Sequence, residues 1–210
     1  MHKKFLKKYY FIDRFNKSNL DNQDKNTAII FRNYRNNLGI DEIILLRDYC
    51  RKKGLKFFLA NNIKLSIKLN LDGAYIPSFN KKFSHLNYLC KKNFLLLGSA
   101  HNLKEIRIKE KQNVSEIFLS SIFKKNNNFL DINKYNLMSK LTNKSIIALG
   151  GVSKENMKLI NLTKSKGFAG ISFFKTKKKR PLKRGLLINK FTSLIRMQKR
   201  SLFRKLSYQP

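Results

Sequence analysis

The feature that most constrains the fold of this chain is a series of eight short apolar runs that alternate with amphipathic segments. The runs are rich in Ile, Leu, Phe and Tyr, and most lack strict apolar–polar alternation, which is typical of strands buried on both faces. They are Tyr9–Ile12, Ala28–Phe31, Leu55–Leu59, Gly73–Ile76, Phe94–Leu97, Glu116–Leu119, Ser145–Leu149 and Phe168–Phe174. Strands that alternate with helices are joined by right-handed crossovers into a parallel sheet.

The amphipathic segments between the runs supply the helices of this pattern. The most regular, Asp41–Lys53, places Ile43, Leu46 and Cys50 on one side and is followed by Gly54, a common residue after a helix end. Three more helices are predicted at Ile63–Leu69, Leu103–Lys111 and Lys154–Ser165. Eight strands in about 175 residues match an α/β fold of the small (β/α)8 TIM-barrel type. A flavodoxin-like open sheet is the alternative if three of the runs are not strands.

The charge of the chain is the second constraint. Lys and Arg total 46 against 12 Asp and Glu, a formal charge of +34. Such a field attracts polyanions, but an AT-rich coding bias would also enrich Lys and Asn, and the chain holds 24 Asn. Residues 1–174 are predicted to form the barrel, and 175–210 a basic extension with 13 basic and no acidic residues. The extension is expected to contain a closing helix at Pro181–Leu206, and its start, Lys175–Arg184, is the candidate for a weak polyanion contact.

Composition excludes several classes of protein. A hydrophobic content of 42% is too high for a disordered polycation. The apolar runs are too short to span a membrane, and the basic start lacks the apolar stretch of a signal peptide. Two cysteines do not make a disulfide framework. We therefore expect a cytoplasmic globular protein in which Cys50 and Cys90 are buried thiols; the oligomeric state is left open.

The clearest local motif lies where the seventh run ends, in Gly150-Gly151. Paired glycines let backbone amides approach an anion, and a helix that starts just after Ser153 would add oriented N–H donors. In (β/α)8 barrels, phosphate sites are commonly built from the loops after strands 7 and 8, and Ser172 lies near the end of the eighth run. Gly150, Gly151 and Ser172 are therefore candidate phosphate-binding residues. The alternative is a tight turn with Ser153 as the helix N-cap.

Polar residues also follow other runs. Ser99 and His101 follow the fifth run, and His101 is either an acid–base or phosphate-binding group or a cap of the next helix. Arg32 follows the second run, and a cation there is costly unless it meets an anion. Asn61 follows the third run and is a candidate for substrate binding or helix capping. His85 lies in a Lys-rich stretch and is expected to be exposed.

The order of these motifs resembles the thiamine-phosphate synthase/TenI superfamily of small (β/α)8 barrels, from about Tyr10 to Phe174. The matching segments are Arg32-Asn33-Tyr34, Asn61-Asn62-Ile63, Asp72-Gly73-Ala74-Tyr75-Ile76, Gly98-Ser99-Ala100-His101, Ala148-Leu149-Gly150-Gly151 and Gly167 to Ser172. The synthases of this family join hydroxymethylpyrimidine diphosphate to thiazole phosphate and release diphosphate. The resemblance thus implies a thiamine-biosynthetic transferase with small phosphorylated substrates.

The resemblance also assigns roles to residues. It implies that Arg32 and His101 are catalytic, that Asn61 and Ser99 bind substrate, and that Gly150, Gly151 and Ser172 hold the thiazole phosphate. Lys124 and Lys125, in the Asn-rich segment after the sixth run, would neutralise diphosphate. The two acids that bind Mg2+ in the family fall at Asn62 and Asn80, and an amide does not balance the charge of Mg2+, so Mg2+ is only weakly supported. Ser121 stands where TenI-type tautomerases carry a His.

Two alternatives remain. The amides at Asn62 and Asn80 favour a TenI-like protein that binds or salvages thiazole phosphate without joining it. The basic extension favours a nucleic-acid-associated protein, although no recognisable nucleic-acid-binding module is found.

Overall fold

Eight parallel strands close into a barrel in which each strand pairs with the next and β8 pairs with β1. The strands are β1 Lys7–Ile12, β2 Thr27–Phe31, β3 Phe57–Ala60, β4 Gly73–Ile76, β5 Leu95–Ala100, β6 Glu116–Ser120, β7 Ser145–Leu149 and β8 Gly167–Gly170. The computed structural model describes residues 6–34 and 39–175. The (β/α)8 barrel is confirmed and the open sheet is excluded, whereas the extension at 176–210 and its closing helix lie outside the described residues.

The strands are connected by helices of very different lengths. They are α1 Lys17–Asp21, α2 Ile40–Lys53, α3 Ile63–Lys68, α4 Leu103–Lys111, α5 Asp131–Lys140 and α6 Met157–Ile160, with a 3-10 helix at Ser84–Asn87 between β4 and β5. The predicted helix Lys154–Ser165 is wrong in its length, because only four of its residues are α-helical. Asn156 bonds the N–H of Ser153 and the carbonyl of Gly151, so this side chain stabilises a turn where a first helical turn was expected.

The core has two layers, because successive side chains of each strand point to opposite faces. Tyr10, Ile12 and their counterparts pack outward against the helices. The barrel interior is filled by the alternate residues, among them Phe11, Tyr75 and Phe118. The Phe11–Tyr75 and Tyr75–Phe118 ring centroids are 5.2 and 5.5 Å apart in edge-to-face contacts, a favourable geometry for aromatic pairs. The interior is therefore a packed aromatic core.

The amino end of the barrel carries a polar cluster in which Tyr9 and Glu116 are buried and Lys7 is half exposed. The Tyr9 hydroxyl donates to Glu116 Oε2 at 2.6 Å, and Lys7 pairs with the other carboxylate oxygen. Burial and the neighbouring carboxylate raise the pKa of Tyr9. The Glu116 carboxylate is thus already bonded by two groups of β1.

Two expectations about single side chains are wrong. His85 is buried rather than exposed, because its Nε2 lies 2.9 Å from the carbonyl oxygen of Gln112. Cys90 is exposed, because the chain around it is irregular rather than helical. Cys50 is buried as expected, and burial raises the pKa of its thiol to about 12.

No helix among residues 6–34 and 39–175 is long and apolar enough to cross a membrane.

Candidate functional site

A cavity of about 550 Å3 lies at the carboxyl ends of the strands. Three of its predicted lining residues come directly after a strand: Arg32 after β2, His101 after β5 and Gly150 after β7. The cavity brings together seven of the candidate site residues, namely Arg32, Ser99, His101, Lys124, Gly150, Gly151 and Ser172. Parallel strands that end at one mouth explain why residues so distant in sequence meet here.

The glycine pair forms the wall of the cavity next to the loop that follows β6. Gly150 and Gly151 have φ angles of 98° and 77°, which L side chains rarely adopt. A Cβ atom on Gly150 would lie 2.4 Å from Ser121 Oγ, and one on Gly151 would lie 2.6 Å from the backbone nitrogen of Lys124. The carbonyl of Gly150 also accepts the N–H of Phe123 at 2.9 Å. The absence of side chains at both positions therefore allows this loop to lie directly on the glycine turn and places Lys124 at the cavity.

The helix expected to point its N-terminus at a phosphate is not found where it was predicted. The helix α6 starts at Met157, beyond the Ser153 position, and spans four residues. The N–H of Ser153 donates to Asn156 Oδ1 at 2.9 Å. The residues that face the cavity near Gly151 thus form a turn, and any anion held there is held by the glycine backbone and by side-chain cations.

His101 has a defined tautomer. Its Nδ1 lies 3.0 Å from the Ser120 carbonyl oxygen and 2.9 Å from the Ser120 hydroxyl. Since a carbonyl oxygen only accepts, Nδ1 carries the proton, and in the neutral ring Nε2 is the acceptor. The backbone N–H of His101 donates to Glu105 Oε2 at 2.8 Å. The end of β6 therefore orients the ring, while the first turn of α4 holds the backbone of His101.

The charge of the cavity is positive. Its lining contains Arg32, Lys124 and Lys175 and, among the described residues, no Asp or Glu. The Arg32 guanidinium lies over the Phe11 ring, with Cζ 4.8 Å from the ring centroid, and within the described residues it makes no salt bridge with a carboxylate. Within the described residues, a guanidinium without a carboxylate partner shares this lining with two ammonium groups, and such a set of cations favours a phosphorylated ligand.

Four candidate residues do not line the cavity. Lys125 lies in the loop after β6, next to Lys124, but outside the lining. Asn62 caps α3, because its side chain accepts the N–H of Leu65 at 3.0 Å. Asn61 and Asn80 bond each other, with Asn80 Nδ2 donating to Asn61 Oδ1 at 2.7 Å. The structure thus keeps Asn61, Asn62 and Asn80 out of the cavity that the cations line.

Sequence reasoning missed several lining residues. Tyr75 is fully buried, and burial raises the pKa of its phenol, while a hydrogen bond with Ser99 opposes that shift. The sequence feature that could have identified Tyr75 is its place in the fourth run, next to Ala74, because successive strand residues point to opposite faces and Tyr75 points into the barrel. Tyr34 and Phe79 form an edge-to-face pair with ring centroids 5.4 Å apart at the rim. Neither follows a strand directly, so their convergence was not visible in the sequence.

These observations define a parallel (β/α)8 barrel whose candidate site is a cavity at the carboxyl ends of its strands. A family model described as thiamine monophosphate synthase matches residues 22–174. The chain therefore belongs to the thiamine monophosphate synthase family.

Named relatives agree with this membership, and two solved structures share the fold. The chain is 21% identical over 178 residues to a thiamine-phosphate synthase of Limosilactobacillus reuteri, covering 80% of each chain. It is 21% identical over 146 residues to a thiamine-phosphate synthase of Hydrogenobaculum, covering 68% of each. The fold resembles a thiamine phosphate pyrophosphorylase from Pyrococcus furiosus with a TM-score of 0.65 and 18% identity, over 79% of this chain and 86% of that one. A thiamine phosphate pyrophosphorylase from Bacteroides thetaiotaomicron gives 0.58 and 14%, over 93% and 98%.

Proposed function

We propose that this protein is a transferase that joins hydroxymethylpyrimidine diphosphate to thiazole phosphate and releases diphosphate. Family membership and the names of the relatives support the reaction class. The observation that carries the proposal is the cavity itself, which combines Arg32, Lys124 and Lys175 with a glycine turn and no carboxylate. Two phosphorylated substrates need such an environment.

In the proposed reaction, the bond between the pyrimidine methylene carbon and the diphosphate oxygen breaks, and its electron pair leaves with the oxygen. The lone pair of the thiazole nitrogen then forms a bond to the methylene carbon. No proton is transferred overall, so the step needs charge stabilisation more than acid–base catalysis. Cations fixed beside the leaving oxygen stabilise the developing charge in the transition state, and Arg32 and Lys124 supply them here.

The two substrates are assigned to different parts of the cavity. Gly150, Gly151 and Ser172 would hold the thiazole phosphate, because backbone amides and a hydroxyl can bond its oxygens. Arg32, which follows β2 rather than β7 or β8, would bind the diphosphate. The exposed aromatic side chains of Tyr34 and Phe79 provide flat apolar surface for a heterocycle.

The test is a synthesis assay. The full chain, hydroxymethylpyrimidine diphosphate, thiazole phosphate and Mg2+ are expected to yield thiamine phosphate, measured by mass spectrometry. Loss of a transition-state cation typically costs about 100-fold or more in rate, so Arg32→Gln should lose at least that much. Arg107→Gln, on the exposed side of α4 where Arg107 pairs with Glu110, is the matched control and should retain activity. A folded wild-type protein that makes no product would contradict the proposal.

A second candidate is a protein that binds or salvages thiazole phosphate without synthesis. It is favoured by Asn61, Asn62 and Asn80, which bond one another or the backbone and do not line the cavity. Isothermal titration calorimetry separates the two candidates. Binding of thiazole phosphate but not of the pyrimidine diphosphate, together with no product, would select the second.

A further inference from the structure

The side chains at the two positions where the family places metal-binding acids are already engaged. Asn62 Oδ1 accepts the N–H of Leu65 at 3.0 Å, and its carbonyl accepts the Ser66 hydroxyl at 2.8 Å. Asn80 Oδ1 accepts the N–H of Lys82 at 2.9 Å, while its Nδ2 donates to Asn61. These amides stabilise local backbone. A divalent cation would have to break those bonds and would gain no negative charge in return.

A fixed positive charge lies beneath the loop that carries Asn80. The Lys109 side chain is fully buried. Its Nζ donates to the carbonyl oxygens of Pro77 at 2.9 Å and Asn80 at 2.8 Å, and to Gln112 Oε1 at 2.8 Å. Three acceptors use the three N–H groups of an ammonium. The loop is therefore already held by a cation, and a second cation bound to the same carbonyls would be repelled at short range.

No Asp or Glu among the described residues lines the cavity. Among the described residues, no group of three or more His, Cys, Asp or Glu side chains could hold a metal ion. Glu105 lies next to the site, but its two oxygens accept the backbone N–H of His101 and the side-chain amide of Asn102. The donor set of this part of the chain does not fit a divalent cation.

We propose that the cavity binds the diphosphate group of its substrate through Arg32, Lys124 and Lys175 without a divalent cation, while the buried Lys109 ammonium holds the loop from Pro77 to Asn80. This inference rests on the proposed function, since it takes the ligand to be phosphorylated. Three protein cations match the charge of a diphosphate, so that neutralisation needs no metal. Because Lys109 bonds the carbonyls of Pro77 and Asn80, the loop between these residues forms part of the cavity wall and does not bind a cation from solution.

The test is calorimetric titration of inorganic diphosphate into the full chain, once in EDTA and once in Mg2+ with the free diphosphate concentration held equal. The two dissociation constants are expected to agree within about threefold. This is less than the tenfold change that corresponds to about 1.4 kcal/mol of binding free energy. Lys124→Gln should weaken binding about tenfold or more in both conditions. Lys140→Gln removes an exposed lysine of α5 outside the cavity and should leave binding unchanged.

The outcomes separate this inference from the proposed function. Diphosphate binding that is at least tenfold tighter in Mg2+, with Mn2+ bound in stoichiometric amount by electron paramagnetic resonance, would overturn the metal-free site but keep the phosphate site. No diphosphate binding in either condition would overturn both. Equal binding in EDTA with loss on Lys124→Gln supports the inference, and thiamine phosphate formed in EDTA would support it further.

Discussion

Gly151 is a position where one added carbon atom is expected to affect both the fold and the cavity. Gly151→Ala would strain a φ of 77° and push a Cβ to 2.6 Å from the Lys124 nitrogen. Because the neighbouring atom belongs to the backbone, the loop after β6 must move. We expect a loss of about 3 kcal/mol in the free energy of unfolding and weaker phosphate binding, measured by urea denaturation and calorimetry.

The matched control for this substitution is Gly54→Ala. Gly54 also has a positive φ, of 67°, but a Cβ there would meet nothing closer than 4.0 Å. Its loss should be about 1 kcal/mol, from the left-handed backbone alone, with no change in ligand affinity. Equal losses for the two variants would contradict the close approach at Gly151.

The two cysteines should differ sharply in reactivity. Cys90 is exposed, whereas Cys50 is buried and its pKa is raised to about 12. Since the thiolate is the reactive form, we expect Ellman's reagent to modify one thiol per native chain at pH 8. Cys90→Ser should abolish this fast reaction, and a second thiol should appear only on unfolding. Rapid modification of both thiols in the native protein would refute the burial of Cys50.

At the scale of secondary-structure elements, the connection between β4 and β5 is the one that departs most from the alternating pattern. It carries a 3-10 helix at Ser84–Asn87 in place of an α-helix. Gln112, at the end of α4, donates to the carbonyls of Asn80 and Lys82, and its own carbonyl meets His85. The side chains of Lys109 and Gln112, at the end of α4, thus bond the segment in which the alternating pattern would place an α-helix. These bonds hold the rim residues Pro77 and Phe79 at the cavity.

Lys109 gives this connection a pH dependence. Desolvation lowers its pKa to about 8 from 10.5, so between these values the unfolded chain binds more protons than the folded one. The free energy of unfolding should therefore rise with pH in that window. We expect the difference between wild type and Lys109→Met to grow in favour of the wild type by roughly 1–3 kcal/mol between pH 7.5 and 10, by urea denaturation. If the difference in free energy of unfolding between the two proteins did not change with pH, Lys109 would titrate in the folded protein as it does in the unfolded chain.

At the scale of the whole molecule, the basic residues that give the charge of +34 comprise those that line the cavity and those that lie elsewhere. Arg32, Lys124 and Lys175 line the cavity, where they are proposed to meet small phosphorylated substrates. Only 12 acidic residues are available to pair with the rest. A contact of the basic extension with a polyanion stays a prediction, because residues 176–210 lie outside the described part of the chain.

Deletion of residues 176–210 tests that prediction while keeping Lys175 in the cavity. If the extension binds polyanions, the truncated protein should lose at least tenfold in affinity for single-stranded RNA at low salt, measured by fluorescence anisotropy. Circular dichroism and diphosphate binding serve as controls for folding. RNA affinity unchanged by the deletion would assign the contact to the surface of the barrel.

The sequence by itself determined the alternation of strands and helices, because apolar runs buried on both faces and an amphipathic α2 are local patterns. It also placed Arg32, His101 and the glycine pair at strand ends, and hence at one mouth of the barrel. It did not determine that His85 and Lys109 are buried, since their partners are carbonyls 27 to 32 residues away. Only the tertiary structure decided that Asn80 bonds Asn61 while three cations share the cavity, because long-range packing selects which polar atoms meet.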